Sequence, residues 1–139
     1  MARLRKVLFV CVGNSCRSQM AEALARHHAA DIIEVQSAGL SPLGKVMEDT
    51  LAILKQRGIS TEGLHSKGLR DTSPFVPELI INMTGVRGQK LFHHGIVIDW
   101  PVMDPYGADL ETYGRICDDI EARVTALADW LRKEAAALA

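Results

Sequence analysis

Apolar and polar positions along this chain switch repeatedly between a short-run pattern and a helical one. Lys6 to Val12 is a compact apolar run rich in Val and Phe and stopped by Gly13, which predicts a buried strand. Residues 18–30 (SQMAEALARHHAA) are strong helix formers with Met20, Ala21 and Leu24 on one side. Ile32 to Val35 reads as a second strand, closed by Ser37-Ala38-Gly39, and Leu40 to Gly44 is a loop containing Pro42. Lys45 to Arg57 is predicted helical, because Met47, Leu51 and Leu54 repeat at i, i+4, i+7 and Gly58 stands where a C-terminal cap belongs. Glu78 to Met83 reads as a third strand, Val86 to Phe92 as a short helix, Gly95 to Asp99 as a fourth strand and Pro101 to Gly107 as a loop. From Ala108 onward one long helix is expected. Tyr113, Cys117, Ile120, Val124, Leu127 and Leu131 form its single apolar stripe, and the Ala-rich end from Glu134 to Ala139 is expected to fray.

Four short apolar strands separated by helices predict an α/β fold. The expected form is a single three-layer domain over residues 1–139, a four-stranded parallel sheet with helices on both faces. Composition agrees: 139 residues, 47% hydrophobic and 24% charged, are ordinary for one globular domain. Sixteen Lys and Arg against 17 Asp and Glu leave a net charge of −1, so no nucleic acid or acidic membrane partner is expected. The N-terminal apolar run is too short for a signal-peptide core, and no stretch approaches a membrane span. Three cysteines, Cys11, Cys16 and Cys117, suit a reducing compartment better than a disulfide framework, so a cytoplasmic location is expected.

In an open parallel sheet the ligand crevice lies beyond the C-terminal ends of the strands. The loop after the first strand, Cys11-Val12-Gly13-Asn14-Ser15-Cys16-Arg17-Ser18, opens directly into a helix. Its amides can form a concave nest backed by the helix N-terminus, which is an anion site of phosphate size. Such a field favours a thiolate over a thiol, so Cys11 is the candidate nucleophile. Ser18 can donate its hydroxyl to that sulfur. Arg17 offers a planar fork to two oxygens of a phosphoryl group. Asn14 suits a tight turn, since it tolerates a left-handed conformation.

Cys11-x5-Arg17-Ser18 within VLFVCVGNSCRSQMAE resembles the signature of the low-molecular-weight protein tyrosine phosphatases, a fold shared with thiol-linked arsenate reductases. The resemblance runs along nearly the whole chain. Ser37-Ala38-Gly39 matches the family's second block, His65 its short His motif, and Asp104-Pro105-Tyr106-Gly107 its acid loop. It implies that Cys11 attacks phosphorus and forms a phosphocysteine. Asp104 then protonates the leaving oxygen and activates the hydrolytic water, while Arg17 and the loop amides hold the equatorial oxygens. Val12, Gly13, Asn14, Ser15, Cys16 and Ser18 are thereby expected around the substrate, with Leu43 and Tyr106 as walls of the cleft. No cofactor and no metal is required. In many relatives the cysteine matching Cys16 pairs with the nucleophile under peroxide.

The same resemblance leaves two activities to separate. Thioredoxin-linked reductases carry two further cysteines after the third strand, whereas this chain has none between Cys16 and Cys117. A phosphatase acting on a phosphorylated protein or small phosphomonoester is therefore the leading reading, and a reductase binding arsenate and using an external thiol is the alternative. Gln19, where phosphatases usually have Pro, and Trp100 resemble the reductases, while the Asp104 loop resembles the phosphatases. Leu43 stands where an aromatic is usual, and Ser15 where many tyrosine phosphatases have Ile; some relatives with Thr there act on phosphoarginine, so that substrate stays open. A phosphate or phosphoprotein sensor without turnover is a third reading, opposed by Cys11, Arg17 and Asp104 occurring together.

Other residues carry weaker signals. His27-His28 and His93-His94 are adjacent pairs that diverge by about 100° on a helix and lack H-x3-H spacing, so no metal site is expected. His65 either supports the loop through a hydrogen bond or is solvated. Lys67 and Arg70 read as surface residues that could rim the cleft. Trp100 either shapes the pocket mouth or packs in a loop. Cys117 reads as core.

Overall fold

The computed structural model describes residues 3–138. In chain order the elements are β1 (Arg5–Cys11), α1 (Arg17–Ala29), β2 (Ile33–Gly39), α2 (Glu48–Gln56), a 3₁₀ turn at Leu69–Thr72, β3 (Leu79–Asn82), the single turn α3 (Gly88–Leu91), β4 (Ile96–Asp99) and the long α4 (Leu110–Leu138). The strands form one parallel sheet in the order β2-β1-β3-β4. The chain leaves β1 toward β2 on one side and later crosses to β3 on the other. The order therefore reverses beside β1, and the crevice lies at the carboxyl end of that strand.

The pleat sends alternate β1 side chains to opposite faces. Val7, Phe9 and Cys11 join the larger core with Met20 and Leu24 of α1, Leu54 of α2 and the apolar stripe of α4. Tyr113, Cys117, Ile120, Val124 and Leu131 of that stripe are at most 1% exposed. The aliphatic members Ile120, Val124 and Leu131 contribute about 1.5–3 kcal/mol each when fully buried. On the other face Leu8, Val10, Ala38 and Ile80 are covered by Leu69, Phe75 and Phe92. Helical segments thus lie on both faces, as expected, but the two layers are unequal, because the second is built from the 3₁₀ turn, its following loop and α3. Full burial holds for the central strand β3 and for β1 from Val7 to Cys11. It fails for β4, an edge strand whose Ile96 is 57% exposed.

Helix α1 packs against β1, β2 and α4, and its residues from Arg17 to Ala25 are all buried. The small Ala21, Ala23 and Ala25 let its neighbours approach closely. Boundaries differ from the pattern-based expectation where tertiary bonds decide them. Strand β2 continues to Gly39 because its pairing with β1 persists as far as Cys11 opposite Gly39. Helix α2 starts three residues later than expected, since the Met47 amide bonds Ser15 O at 3.1 Å and its backbone is extended. Helix α4 starts at Leu110, because Gly107 has φ +79° and the Ala108 amide closes a turn onto Pro105 O. At its far end α4 stays helical to Leu138 instead of fraying; Ala139 lies outside the described residues. Arg5 bonds Glu134 at 2.6 Å and Arg132 bonds Asp31 at 2.8 Å, which ties this end to β1 and to the turn after α1. No helix among the described residues is long and apolar enough to cross a membrane.

Candidate active site

The loop between β1 and α1 is shaped by what its carbonyls touch. Cys11 O accepts from Leu40 N at 3.1 Å, Val12 O from Ser41 N at 2.9 Å, and Gly13 O from Leu43 N at 2.9 Å and Ser66 Oγ at 3.1 Å. Asn14 O accepts from Gln19 Nε2 at 2.9 Å, and Ser15 O from Met47 N at 3.1 Å and Thr50 Oγ1 at 3.0 Å. All five carbonyls point outward into the surrounding protein. In a trans peptide the carbonyl and the following N–H point opposite ways, so the amides of residues 12–16 face the concavity. Asn14 supports the turn with φ +48°, the left-handed conformation expected of it. At the start of α1 no side chain caps the helix and no acidic residue sits in the first turn. Its free N–H donors and positive dipole end are thus left for a ligand anion.

This loop floors a cavity of about 210 Å³ lined by Cys11, Val12, Gly13, Ser15, Cys16, Arg17, Ser41, Leu43, Asp104 and Tyr106. Cys11 is buried at the end of β1, with its sulfur 2.9 Å from Ser18 Oγ. Arg17 is buried too. Its Nη1 donates to Met83 O at 2.5 Å and to Val102 O at 3.2 Å, which fixes the guanidinium against the end of β3 and the acid loop. Its Nε has no protein partner, and its Nη2 lies 3.5 Å from Asp104 Oδ2. A buried guanidinium with an unpaired N–H beside a cradle of amides is built to receive an oxyanion. Asp104 is about half exposed, and its Oδ1 accepts from Tyr106 N at 3.0 Å, a turn that Pro105 stiffens.

The structure brings Cys11, Arg17, Asp104, Val12, Gly13, Ser15, Cys16, Leu43 and Tyr106 together around one cavity. Asn14 and Ser18 do not line it. Both are fully buried beneath the loop, where Asn14 Nδ2 donates to Ser18 Oγ at 2.7 Å and to Ser37 Oγ at 2.9 Å. Ser41 lines the cavity and carried no signal in the sequence. Lys67 departs from its surface reading: it is 5% exposed, with Nζ 3.3 Å from Glu22 Oε1. Arg70 is exposed. The His65 ring is exposed and faces Gly63 O at 3.0 Å; only its carbonyl reaches the site, accepting from Gln19 Nε2 at 2.8 Å. Trp100 packs on Phe9 with ring centroids 5.7 Å apart and does not line the cavity. Glu22, a carboxylate between Ala21 and Ala23 on an otherwise apolar part of α1, is the signal that could have revealed the buried polar cluster.

All three cysteines are free. Burial raises the Cys16 pKa, against hydrogen bonds from Tyr113, Ser15 and Thr50 that lower it. The Tyr113 hydroxyl lies 2.9 Å from Cys16 Sγ, and burial lifts its own pKa well above the usual phenol range. Cys117 is pushed up to about 11 by burial within the α4 stripe. Among the described residues no group of His, Cys, Asp and Glu could hold a metal ion.

Comparison with known proteins bears on this arrangement. The family model for low molecular weight phosphotyrosine protein phosphatase matches residues 6–137. A glutaredoxin arsenate reductase of Synechocystis is 33% identical over 125 residues, covering 87% of this chain and 94% of that one. A protein-arginine-phosphatase of Geobacillus stearothermophilus is 27% identical over 146 residues, covering 93% and 97%. A solved arsenate reductase in the phosphate binding state superposes with a TM-score of 0.79 at 31% identity, covering 92% of this chain and 99% of that one.

Proposed function

Because this chain belongs to the low molecular weight phosphotyrosine protein phosphatase family, we propose that it hydrolyses phosphate monoesters through a phosphocysteine on Cys11. The Cys11 sulfur attacks phosphorus in line as the bond to the leaving oxygen breaks, and Asp104 gives that oxygen its proton. A water then attacks the phosphocysteine, Asp104 takes the water's proton, the S–P bond breaks, and phosphate leaves with Cys11 restored. The inward amides and Arg17 stabilise the charge spread over the equatorial oxygens, a term usually among the largest in such reactions. The observation that carries this reading is a single cavity walled by Cys11, Arg17 and Asp104, the last from a loop far along the chain. Leu43 and Tyr106 flank its mouth and suit the apolar part of an ester.

A second reading, arsenate reduction with an external thiol, is favoured by the relatives that bear that name. The Cys11 sulfur would bond to arsenic as an arsenate oxygen leaves as water, and the external thiol would then attack that sulfur and break the S–As bond. Arsenic(V) then becomes arsenic(III) as the two sulfurs are oxidised to a disulfide. The chain has no cysteine between Cys16 and Cys117 for an internal relay, which counts against the three-thiol route of thioredoxin-linked reductases and so favours hydrolysis over that form of reduction.

The test is a paired assay on one preparation. Hydrolysis of p-nitrophenyl phosphate should be abolished in Cys11→Ser and slowed about 10²–10⁴-fold in Asp104→Ala. Arsenate should give no thioredoxin-coupled turnover. Wild-type hydrolysis by Cys11→Ser refutes the mechanism, and sustained NADPH oxidation with arsenate and thioredoxin refutes the preference for hydrolysis.

A further inference from the structure

Strand β4 ends the sheet, and no strand among the described residues pairs with its outer edge. The Ile96 amide donates to Glu78 O at 3.2 Å and the Trp100 amide to Asn82 O at 2.9 Å, so the even-numbered residues turn their backbone groups toward β3. Val97 and Asp99 therefore present theirs to the open edge. Protein edges are commonly blunted by Lys, Pro, a bulge or a covering segment. This strand reads Ile-Val-Ile-Asp, and its first proline, Pro101, comes only after it has ended. Ile96 is mostly exposed, and it shares a face of the strand with Ile98, which packs on the larger core.

A second apolar group stands at the same level on that face. Arg123 of α4 lies over the Trp100 ring, 6.0 Å from its centroid. Trp130 is seven residues farther on, so it lies about 10 Å down the helix and only about 20° around it from Arg123. Helix α4 runs against the strands: its Tyr113 touches Cys16 beyond the end of β1, and its Glu134 bonds Arg5 at the start of β1. A distance of about 10 Å is about three strand residues back from Trp100, which is the level of Val97. Trp130 is half exposed there. The indole and Ile96 thus form an apolar margin along the unpaired edge.

We infer that β4 pairs with β4 of a second copy of this chain, antiparallel about a two-fold axis at Val97, to join the two four-stranded sheets into one. Residues opposite one another in such a pair share a face. Ile96 then meets the second copy's Ile98, twice by symmetry, and Val97 exchanges both backbone bonds with its mate. The two indoles stand at the level of the axis and close over these pairs. An axis at Ile96 would require Gly95 to pair as extended backbone, whereas Gly95 has φ +79°. The charges fit the same register. Asp99 is exposed and falls opposite the second copy's Gly95, beside its exposed His94, and the match repeats at the other end of the seam. A carboxylate acceptor thereby faces an imidazole donor twice. Parallel pairing in register would instead set Asp99 beside Asp99. The inference is independent of the chemistry assigned to Cys11, because no residue of the seam lines the cavity.

The test is sedimentation velocity of the full chain over a concentration series. A seam this short is at the small end of specific interfaces, so half-dimerisation is expected at about 10–100 µM. Ile96→Lys puts a charge into the seam and should raise that concentration at least about tenfold. Its side chain is mostly in solvent, so the melting temperature of dilute protein should not change. Trp130→Glu should weaken the dimer in the same way. Val97→Cys reads the register. Facing Cα atoms of a hydrogen-bonded pair are about 5.5 Å apart, within disulfide reach, so diamide should oxidise the two introduced thiols to a link that peptide mapping identifies. A monomer at every concentration overturns the inference, whatever other chain the edge binds. A dimer that Ile96→Lys and Trp130→Glu leave intact lies on another surface and overturns it too, and so does a failure of Val97→Cys to link the copies. Should Ile96→Lys not fold, Trp130→Glu decides in its place.

Discussion

Gly39 is the residue on which the geometry of the anion cradle can be tested by a single methyl group. It ends β2 directly opposite Cys11, and a Cβ placed there would lie 2.7 Å from Val12 O, 2.9 Å from Asn14 N and 3.0 Å from Asn14 Cβ. Two of the three neighbours are backbone atoms of the cradle, which no rotamer change can move. Relief to ordinary contact needs a displacement of about 0.5 Å in the loop or in β2. Gly39→Ala should therefore cost about 1–3 kcal/mol of stability, the usual range for overpacking a fitted interior. A chain of this length should then melt lower by roughly 3–12 °C. The same displacement acts on the amides that face the ligand. Since a 1 Å misplacement costs about 10²-fold in rate, half of it should cost about tenfold in kcat/KM. Gly88→Ala is the control. Its Cβ would meet Val97 Cγ1 at 2.3 Å and Asp99 Oδ1 at 2.8 Å, away from the residues that line the cavity. It should lose stability while phosphate affinity, measured by calorimetric titration below both melting temperatures, stays at the parent value. Parental phosphate affinity and kcat/KM in Gly39→Ala would refute the claim that this strand end sets the cradle.

Two further expectations follow from burial and charge. In the native protein at pH 8, iodoacetamide should modify Cys11 alone, because burial raises Cys16 and pushes Cys117 up to about 11, and both thiols stay neutral; peptide mapping that finds Cys117 alkylated as fast as Cys11 contradicts this. At acid pH, burial pushes Glu78 up, but hydrogen bonds from Arg5 and Arg3 outweigh it and hold the carboxyl below the ordinary glutamate range. Its stabilising contribution is thus complete above about pH 4.5 and is lost as pH falls through the depressed value. Glu78→Gln should flatten the acid limb of urea-unfolding stability below about pH 4.5, and an unchanged slope there would count against the pairing.

How much of this was legible in the sequence depends on how local each feature is. The run from Val7 to Ser18 holds a strand, a turn and a helix start in consecutive residues, so the cradle and Cys11 could be read directly. The α4 stripe was equally plain, because its period needs no partner to be recognised. Asp104 is far from Cys11 in sequence, and only its resemblance to a known acid loop connected the two. Lys67 is the instructive failure. A lysine beside His65 and Arg70 reads as surface, since the Glu22 and Ser37 that bury it come from α1 and β2. Element boundaries failed for a related reason: Met47 is extended because Ser15 O accepts its amide, a bond that no local propensity encodes.

The environment of Cys16 bears on which second half-reaction the site can support. A thiol attacks as its thiolate, and Cys16 is buried in contact with the Tyr113 hydroxyl, with burial driving it toward the neutral form. A neutral thiol, fixed by Tyr113 and near Thr50 and Ser15, is poorly prepared to resolve an adduct on Cys11 in the resting fold. What resolves the adduct must then arrive through the mouth, where Leu43 and Tyr106 are exposed and Asp104 is half open. Water needs only a carboxylate at that position to take its proton. An external thiol needs room for its own side chain between Leu43 and Tyr106. Lengthening the first wall by Leu43→Phe should therefore separate the two cases. Thiol-dependent arsenate turnover, if present, should fall by an order of magnitude or more. Hydrolysis of p-nitrophenyl phosphate should stay within about threefold. A parallel loss of both would show that the mouth serves the ester as much as the resolving group, and would remove this distinction.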